Sequence, residues 1–227
     1  LAVLVANVNS KAEYLSPAYT ILFAGGAVAV EQFAAARAWP WLRAVTIGLV
    51  SIGGAVLAPF VLTILPVETY VRYAETLGMK PSTAENKRLE RLPQFYADMF
   101  GWEDLAATVL SVYNSLPAEE QSKCLIYAQN YGEAGAISFF GRRYHLPRVT
   151  SGHNSYYLWG PGTVMPEVVI IVGGDIEDHL QGFESVERVA VHTCNDCMPY
   201  ENNLPIFVAR KLKRPLGKIW PLTKNYS

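Results

Sequence analysis

The segment LRAVTIGLVSIGGAVLAPFVLTIL, Leu42 to Leu65, carries a single charge, Arg43, close to its start. As a helix rising ~1.5 Å per residue it crosses the roughly 30 Å of a bilayer's hydrocarbon core. A water-soluble fold would have to cover such a helix on every side, whereas a membrane accepts it bare. A second candidate span is YLSPAYTILFAGGAVAVEQFAAA, Tyr14 to Ala36, which is interrupted by Pro17 and Gly25–Gly26 and holds Glu31 near its far end. Its small residues, Ala24 to Ala27, allow close helix packing. The competing reading is a helical hairpin buried inside a soluble protein.

Charge divides the chain in two. The first 65 residues contain five charged side chains, Lys11, Glu13, Glu31, Arg37 and Arg43, out of nineteen basic and twenty acidic in all. The net charge of -1 provides no basic face that would displace counterions from nucleic acid, and that class of partner is excluded. Between the apolar segments lies RAWPWLR, with two arginines and two tryptophans suited to a membrane interface. Short arginine-bearing loops stay cytoplasmic, which predicts that Lys11 and everything after Leu65 lie on the extracytoplasmic, periplasmic side of the cell membrane. With no initiator methionine and no signal-peptide pattern, the chain reads as the C-terminal part of a longer multi-pass protein, and LAVLVANV as the end of an earlier helix. The expected organisation is a membrane segment at 1–65, a linker at 66–93 and a small extracytoplasmic α/β domain at 94–227.

Within that domain GWEDLAATVLSVYNSLP places Trp102, Leu105, Ala106, Val109, Val112 and Tyr113 at helical spacing, with acidic residues in the first turn and Pro117 beyond the end. KCLIYAQ and EVVIIVGG are continuous apolar runs of the kind found in buried parallel strands, and VERVAVH and LPIFVAR are further strand candidates. A helix from Gly132 to Arg143 falls between the first two. This alternation predicts an α/β fold with a sheet of about four strands.

Five patterns bear on chemistry. NYGEAGAISFFGRRY follows a strand and suggests a phosphate cradle, but its G-x-x-G lacks both the third glycine of a dinucleotide fingerprint and the ending of a Walker loop. Gly132 and Gly135 are therefore expected to form a strand-to-helix turn, with Asn130, Tyr131 and Glu133 near an exposed rim. Cys194 and Cys197, spaced C-N-D-C, suit a local disulfide, a thiol pair or half a zinc site; a zinc ion would need about two more ligands, and neither His153 nor His179 is linked by spacing to nearby His192. The loop TSGHNSYYLWGPG crowds His153, Asn154, Ser155, Tyr156, Tyr157 and Trp159 between glycines. Aromatic faces and amides are what a glycan needs, although the same residues equally serve to pack a loop. Glu133, Asp175, Glu177 and Asp178 are the acidic candidates for general acid or base work, although carboxylates in first turns usually serve as helix caps or dipole partners. Finally, Lys11 and Tyr14 stand at the extracytoplasmic end of a span, where an ammonium and a phenol can meet a lipid phosphate.

Taken in order, KAEYLSPAYT, LPQFYADMFGWEDL, NYGEAGAISFFGRRYHLP, SGHNSYYLWGPG and MPYENNLPIFVAR resemble the C-terminal end of bacterial glycosyltransferase family 39 proteins, which are related to protein O-mannosyltransferases and to the aminoarabinose transferases of lipid A. The resemblance implies an integral-membrane transferase of the cell envelope that moves a sugar from a polyprenyl-phosphate donor to a glycan, lipid or protein acceptor outside the cytoplasm. It also implies a divalent metal without placing it. The catalytic carboxylate would lie in an N-terminal loop this chain does not contain, so that the segment alone would be inactive. The substrate-binding residues expected here are Lys11, Tyr14, His153, Asn154 and Tyr156. Lys11, Tyr14 and Pro17 match the family's helix entry, while Glu13 and Thr20 depart from it. The alternative is a membrane-tethered, non-catalytic module that recognises a glycan or a partner.

Overall fold

The computed structural model describes residues 12–82, 88–163 and 165–226, and Lys11 lies outside them. The chain separates into two compact units, one reaching to Lys80 and the other running from Arg88 onward.

The first unit is helical. Helices α1 (Ser16–Ala36) and α2 (Trp41–Val61) correspond to the two candidate spans, and Pro17 sits in the first turn of α1, where its missing N–H costs nothing. Only 6% of each apolar window is buried. Ile21 and Phe23 of α1 and Ile47 and Leu49 of α2 are at least two-thirds exposed, which is unlike the covered hairpin of a soluble protein. Two helices long and apolar enough to cross a membrane therefore open the described chain. Glu31, the acidic residue inside α1, is paired with Arg43 at 2.5 Å, so its charge does not meet lipid alone. Phe33, Trp39 and Trp41 cluster at the connection, as aromatic residues do at a bilayer surface. Helix α3 (Val67–Thr76) packs Tyr70 and Tyr73 against Phe60 of α2, and the Tyr73 hydroxyl donates to the Val56 carbonyl at 2.9 Å.

The second unit is mixed α/β. Strands β1 (Cys124–Ala128), β2 (Val149–Ser151), β3 (Val168–Val172), β4 (Phe183–His192) and β5 (Leu204–Leu212) form one sheet in the order β2-β1-β3-β5-β4. Strand β1 runs parallel to both β2 and β3, while β5 is antiparallel to β3 and β4. The sheet thus has five strands where four were expected. The unforeseen one, β2, is only three residues long, too short to show a period. Strand β4 lies at an edge and exposes most of its length, including Glu184, Glu187 and Arg188, which discourages further pairing.

Both sheet faces are covered, which explains the unbroken apolar runs in β1 and β3. On one face Ile126, Ala128, Ile170, Val172, Ile206 and Val208 pack against helices α4 (Trp102–Ser115) and α5 (Tyr131–Phe140) through Leu105, Val109, Val112 and Ile137. On the other, Leu125, Val169, Ile171, Phe207 and Ala209 meet Ile176 and, in the C-terminal segment, Leu216. Helix α6 spans Asn154–Trp159, α7 Ile176–Gly182 and α8 Leu216–Ile219. Each fully buried aliphatic side chain in these layers contributes about 1.5–3 kcal/mol.

Candidate functional site

Three parallel strands end on one edge of the sheet. The connection from β1 leads through α5 to β2 on one side, and β3 lies on the other, so the strand order reverses at β1. Open α/β sheets bind ligands at such edges.

The first cluster at this edge is a buried carboxylate pair. Asn130 caps α5 by accepting the Glu133 N–H at 2.9 Å, and Glu133 reaches back to accept the Gln129 N–H at 2.9 Å. This is a capping box, written N-x-x-E in the sequence. The Asn130 amide also donates to Glu133 Oε1 at 2.9 Å and to Glu201 Oε1 at 3.0 Å, holding two carboxylates with one side chain. Glu133 is 2% exposed and Glu201 5%. Glu201 Oε2 is buried and has no hydrogen-bond partner among the described residues. Burial, and then the charge of Glu201, push Glu133 up to about 8, against the two backbone N–H bonds that favour its ionised form. Burial also pushes Glu201 up to about 7, the Asn130 bond opposing and Asp98 assisting. The two groups titrate as a pair, and a proton is retained between them near neutral pH.

These facts correct the expected glycine turn with its exposed rim. The terminus of α5 is occupied by the protein's own carboxylate, Gly132 lies inside the helix, and Glu133 is buried instead of sitting at an exposed rim. Gly132 leaves little room for a side chain, since a Cβ there would approach Asn130 Oδ1 to 3.1 Å and the Trp102 ring to 3.2 Å.

The aromatic loop divides by role. His153 is 8% exposed and packs its ring 5.0 Å from that of Tyr131, which is itself half exposed. His153 also forms a single bridge with Asn225, and the Asn154 N–H donates to the Asn225 carbonyl at 2.9 Å. Gly152 admits the Thr223 carbonyl where any Cβ would collide with it. Tyr157 lies flat on Trp220 at 5.6 Å and 5°, and the indole N–H donates to the Tyr157 carbonyl at 3.3 Å. Tyr156 turns inward to Ser138, its hydroxyl 3.4 Å away, and to Trp159. His153, Asn154 and Tyr157 therefore clasp the C-terminal segment, whereas Leu158 and Trp159 remain exposed. Tyr14, more than half exposed, belongs to the first unit.

The clasped segment forms one wall of a cavity of about 510 Å³ on the second sheet face. Leu125, Val169 and Ile171 form its floor, and Trp220 and Thr223 line it with Asp175, Asp178 and His179 of the β3–α7 region. Gln129 reaches the same space from the end of β1, and Arg214 from beyond β5. Gly174 (φ 79°) makes this crowding possible, because a Cβ there would come within 2.8 Å of both Gln129 and the His179 ring. His179 Nε2 lies 2.9 Å from the Gly173 carbonyl, fixing the ring. Asp175 precedes α7 without capping it through its side chain. Carboxylates, an amide and a guanidinium supply hydrogen bonds to hydroxyl groups, and an indole and aliphatic floor supply apolar surface. Sequence reasoning placed the binding residues in the loop that builds the wall, and missed Trp220 and His179 of the cavity itself.

The basic run RKLKRPLGK is distributed over the domain surface. Arg210 holds Glu120 through two bonds of 2.8 Å, Lys213 donates to the Leu180 carbonyl, and Arg214 lines the cavity. Among the described residues no three His, Cys, Asp or Glu side chains converge to hold a metal ion, so the expected divalent metal has no fitting site here.

Fold and site together define a mixed α/β domain with a cavity of about 510 Å³, in a chain that also carries two helices long and apolar enough to cross a membrane. Compared with protein-family models, curated proteins and solved structures, the chain has no match.

Proposed function

We propose that the chain is the C-terminal part of an integral-membrane glycosyltransferase that moves a sugar from a polyprenyl-phosphate donor to an extracytoplasmic acceptor, and that its α/β domain holds the glycan portion of a substrate. The observation that carries this reading is the cavity of about 510 Å³, in which Trp220 and an aliphatic floor face Asp175, Asp178, His179, Gln129 and Arg214. That volume and mixture of surfaces suit a mono- or disaccharide. The two exposed apolar helices suit a protein whose donor is a membrane lipid. The domain's own ionisable pair, Glu133 and Glu201, is enclosed and structural, in keeping with a catalytic base located elsewhere in the longer protein. That same enclosure favours, as a second reading, a tethered recognition module with no chemistry of its own.

The test uses the longer membrane protein in nanodiscs with a polyprenyl-phosphate sugar and envelope glycans as acceptors. Sugar transfer that falls at least ~10-fold in Asp178→Asn or Trp220→Ala supports the reading. Intact glycan binding with no transfer leaves the recognition module, and a cavity that binds no saccharide removes both.

A further inference from the structure

The β4–β5 connection carries the second feature with chemical content. Cys194 and Cys197 flank the Asn195–Asp196 turn, where the Cys197 thiol donates to the Cys194 carbonyl at 3.3 Å. The turn is fixed from both ends. The Cys194 N–H donates to Asn202 Oδ1 at 2.9 Å, and Asp196 is held by Arg91 at 3.1 Å. Cys197 is buried, whereas Cys194 is partly exposed. Gly101, at φ 87°, keeps a small space beside Cys194, since a Cβ there would stand 3.0 Å from its sulfur. Cys124 is at the start of β1, the opposite end of the sheet, and does not compete for either sulfur.

We propose that Cys194 and Cys197 form a reversible dithiol site that closes to a local disulfide by exchange with low-molecular-weight disulfides. The Cys194 thiolate attacks one sulfur of the incoming disulfide, giving a mixed disulfide and one released thiol. The Cys197 thiolate then attacks the Cys194 sulfur and expels the second thiol. Two electrons and two protons pass from the cysteine pair to the disulfide, which leaves as two thiols. Exposure makes Cys194 the first to react, and burial keeps Cys197 protonated and inert until its neighbour carries a good leaving group. The short turn that holds the Cys197 sulfur 3.3 Å from the Cys194 carbonyl favours closure over a second external attack.

The full chain in detergent, incubated with oxidised glutathione, alkylated and cut by trypsin, yields both cysteines in the peptide Val189–Arg210. That peptide is expected two hydrogens lighter, with no glutathione attached. In Cys197→Ser the Cys194 adduct with glutathione accumulates, and Cys197 in Cys194→Ser reacts at least ~10-fold more slowly. In unmodified chain, iodoacetamide labels Cys194 before Cys197 by a similar margin, a comparison that needs no variant to fold. A wild-type peptide bearing glutathione on either cysteine without an internal bond overturns the proposal, as do equal labelling rates at the two thiols.

Discussion

Glu201→Gln isolates the electrostatic content of the buried carboxylate pair. Glutamine keeps an oxygen to accept from Asn130 Nδ2 and places an uncharged amide where Oε2 has no partner. In the wild-type chain Glu201 is pushed from its usual 4.5 up to about 7, and each unit of such a shift is worth about 1.4 kcal/mol. Because the folded value lies above the unfolded one, the stabilising effect is complete below about pH 4.5 and is lost as pH rises through the neutral range. The full shift corresponds to roughly 3 kcal/mol, of which about 2 kcal/mol is expected to survive the coupling to Glu133. Glu201→Gln should therefore match wild type at pH 4 and exceed it by about 2 kcal/mol at pH 8. With m near ~1–3 kcal/mol/M, the urea midpoint of the near-UV transition, measured on the full chain in detergent, should rise by about 1 M at pH 8. Equal midpoints at pH 8, or wild-type stability that climbs between pH 5 and 8, would refute the placement of these groups.

Three further outcomes are expected. Gly152→Ala forces the Thr223 carbonyl away and should cost about 1–3 kcal/mol, with trypsin cutting faster after Lys218 and Lys224. Arg210→Met removes the bidentate partner that holds Glu120 below the usual carboxylate range. Its cost of about 0.5–1 kcal/mol should be present at neutral pH, fade as pH falls through the carboxylate range and shrink in salt, as thermal melts will show. For the proposed topology, a cysteine at Lys218 should react with a membrane-impermeant maleimide in intact cells, while one at Ala38 should react only after permeabilisation; the reverse pattern would invert the orientation.

What was legible in the sequence followed from local regularity. Trp41 to Val61 is a helix because the apolar run beginning at Leu42 is long and almost free of charge, and CLIYA and VVIIV are strands because an apolar run that short, bounded by turns, has both faces covered. The helix after CLIYA was visible too, but its N-terminus was judged by its glycines. The informative letters were Asn130 and Glu133, three apart, which satisfy that terminus without any ligand. A capping-box reading of N-x-x-E would have removed the phosphate hypothesis before any topology was considered.

What stayed illegible depends on partners far along the chain. Nothing near Asn130 announces Glu201, 71 residues away, yet burial raises both carboxylates and the charge of Glu201 raises Glu133 further, turning a helix cap into a proton-holding pair. The loop at His153 presents the same difficulty in reverse. Its histidine, amide and tyrosines are the residue types a glycan would select, but the sequence does not show that Asn225, Thr223 and Trp220 return to meet them. Once they do, Asn154 and Tyr157 give the cavity a fixed wall, and the groups left facing its space are Asp175, Asp178, His179 and Arg214. Under the proposed function, recognition is thus displaced from the loop that looks like a site to the face that the loop holds together. A substitution at Tyr157 should accordingly loosen the C-terminal segment and weaken saccharide binding together, whereas Asp178→Asn should weaken binding and leave the segment in place.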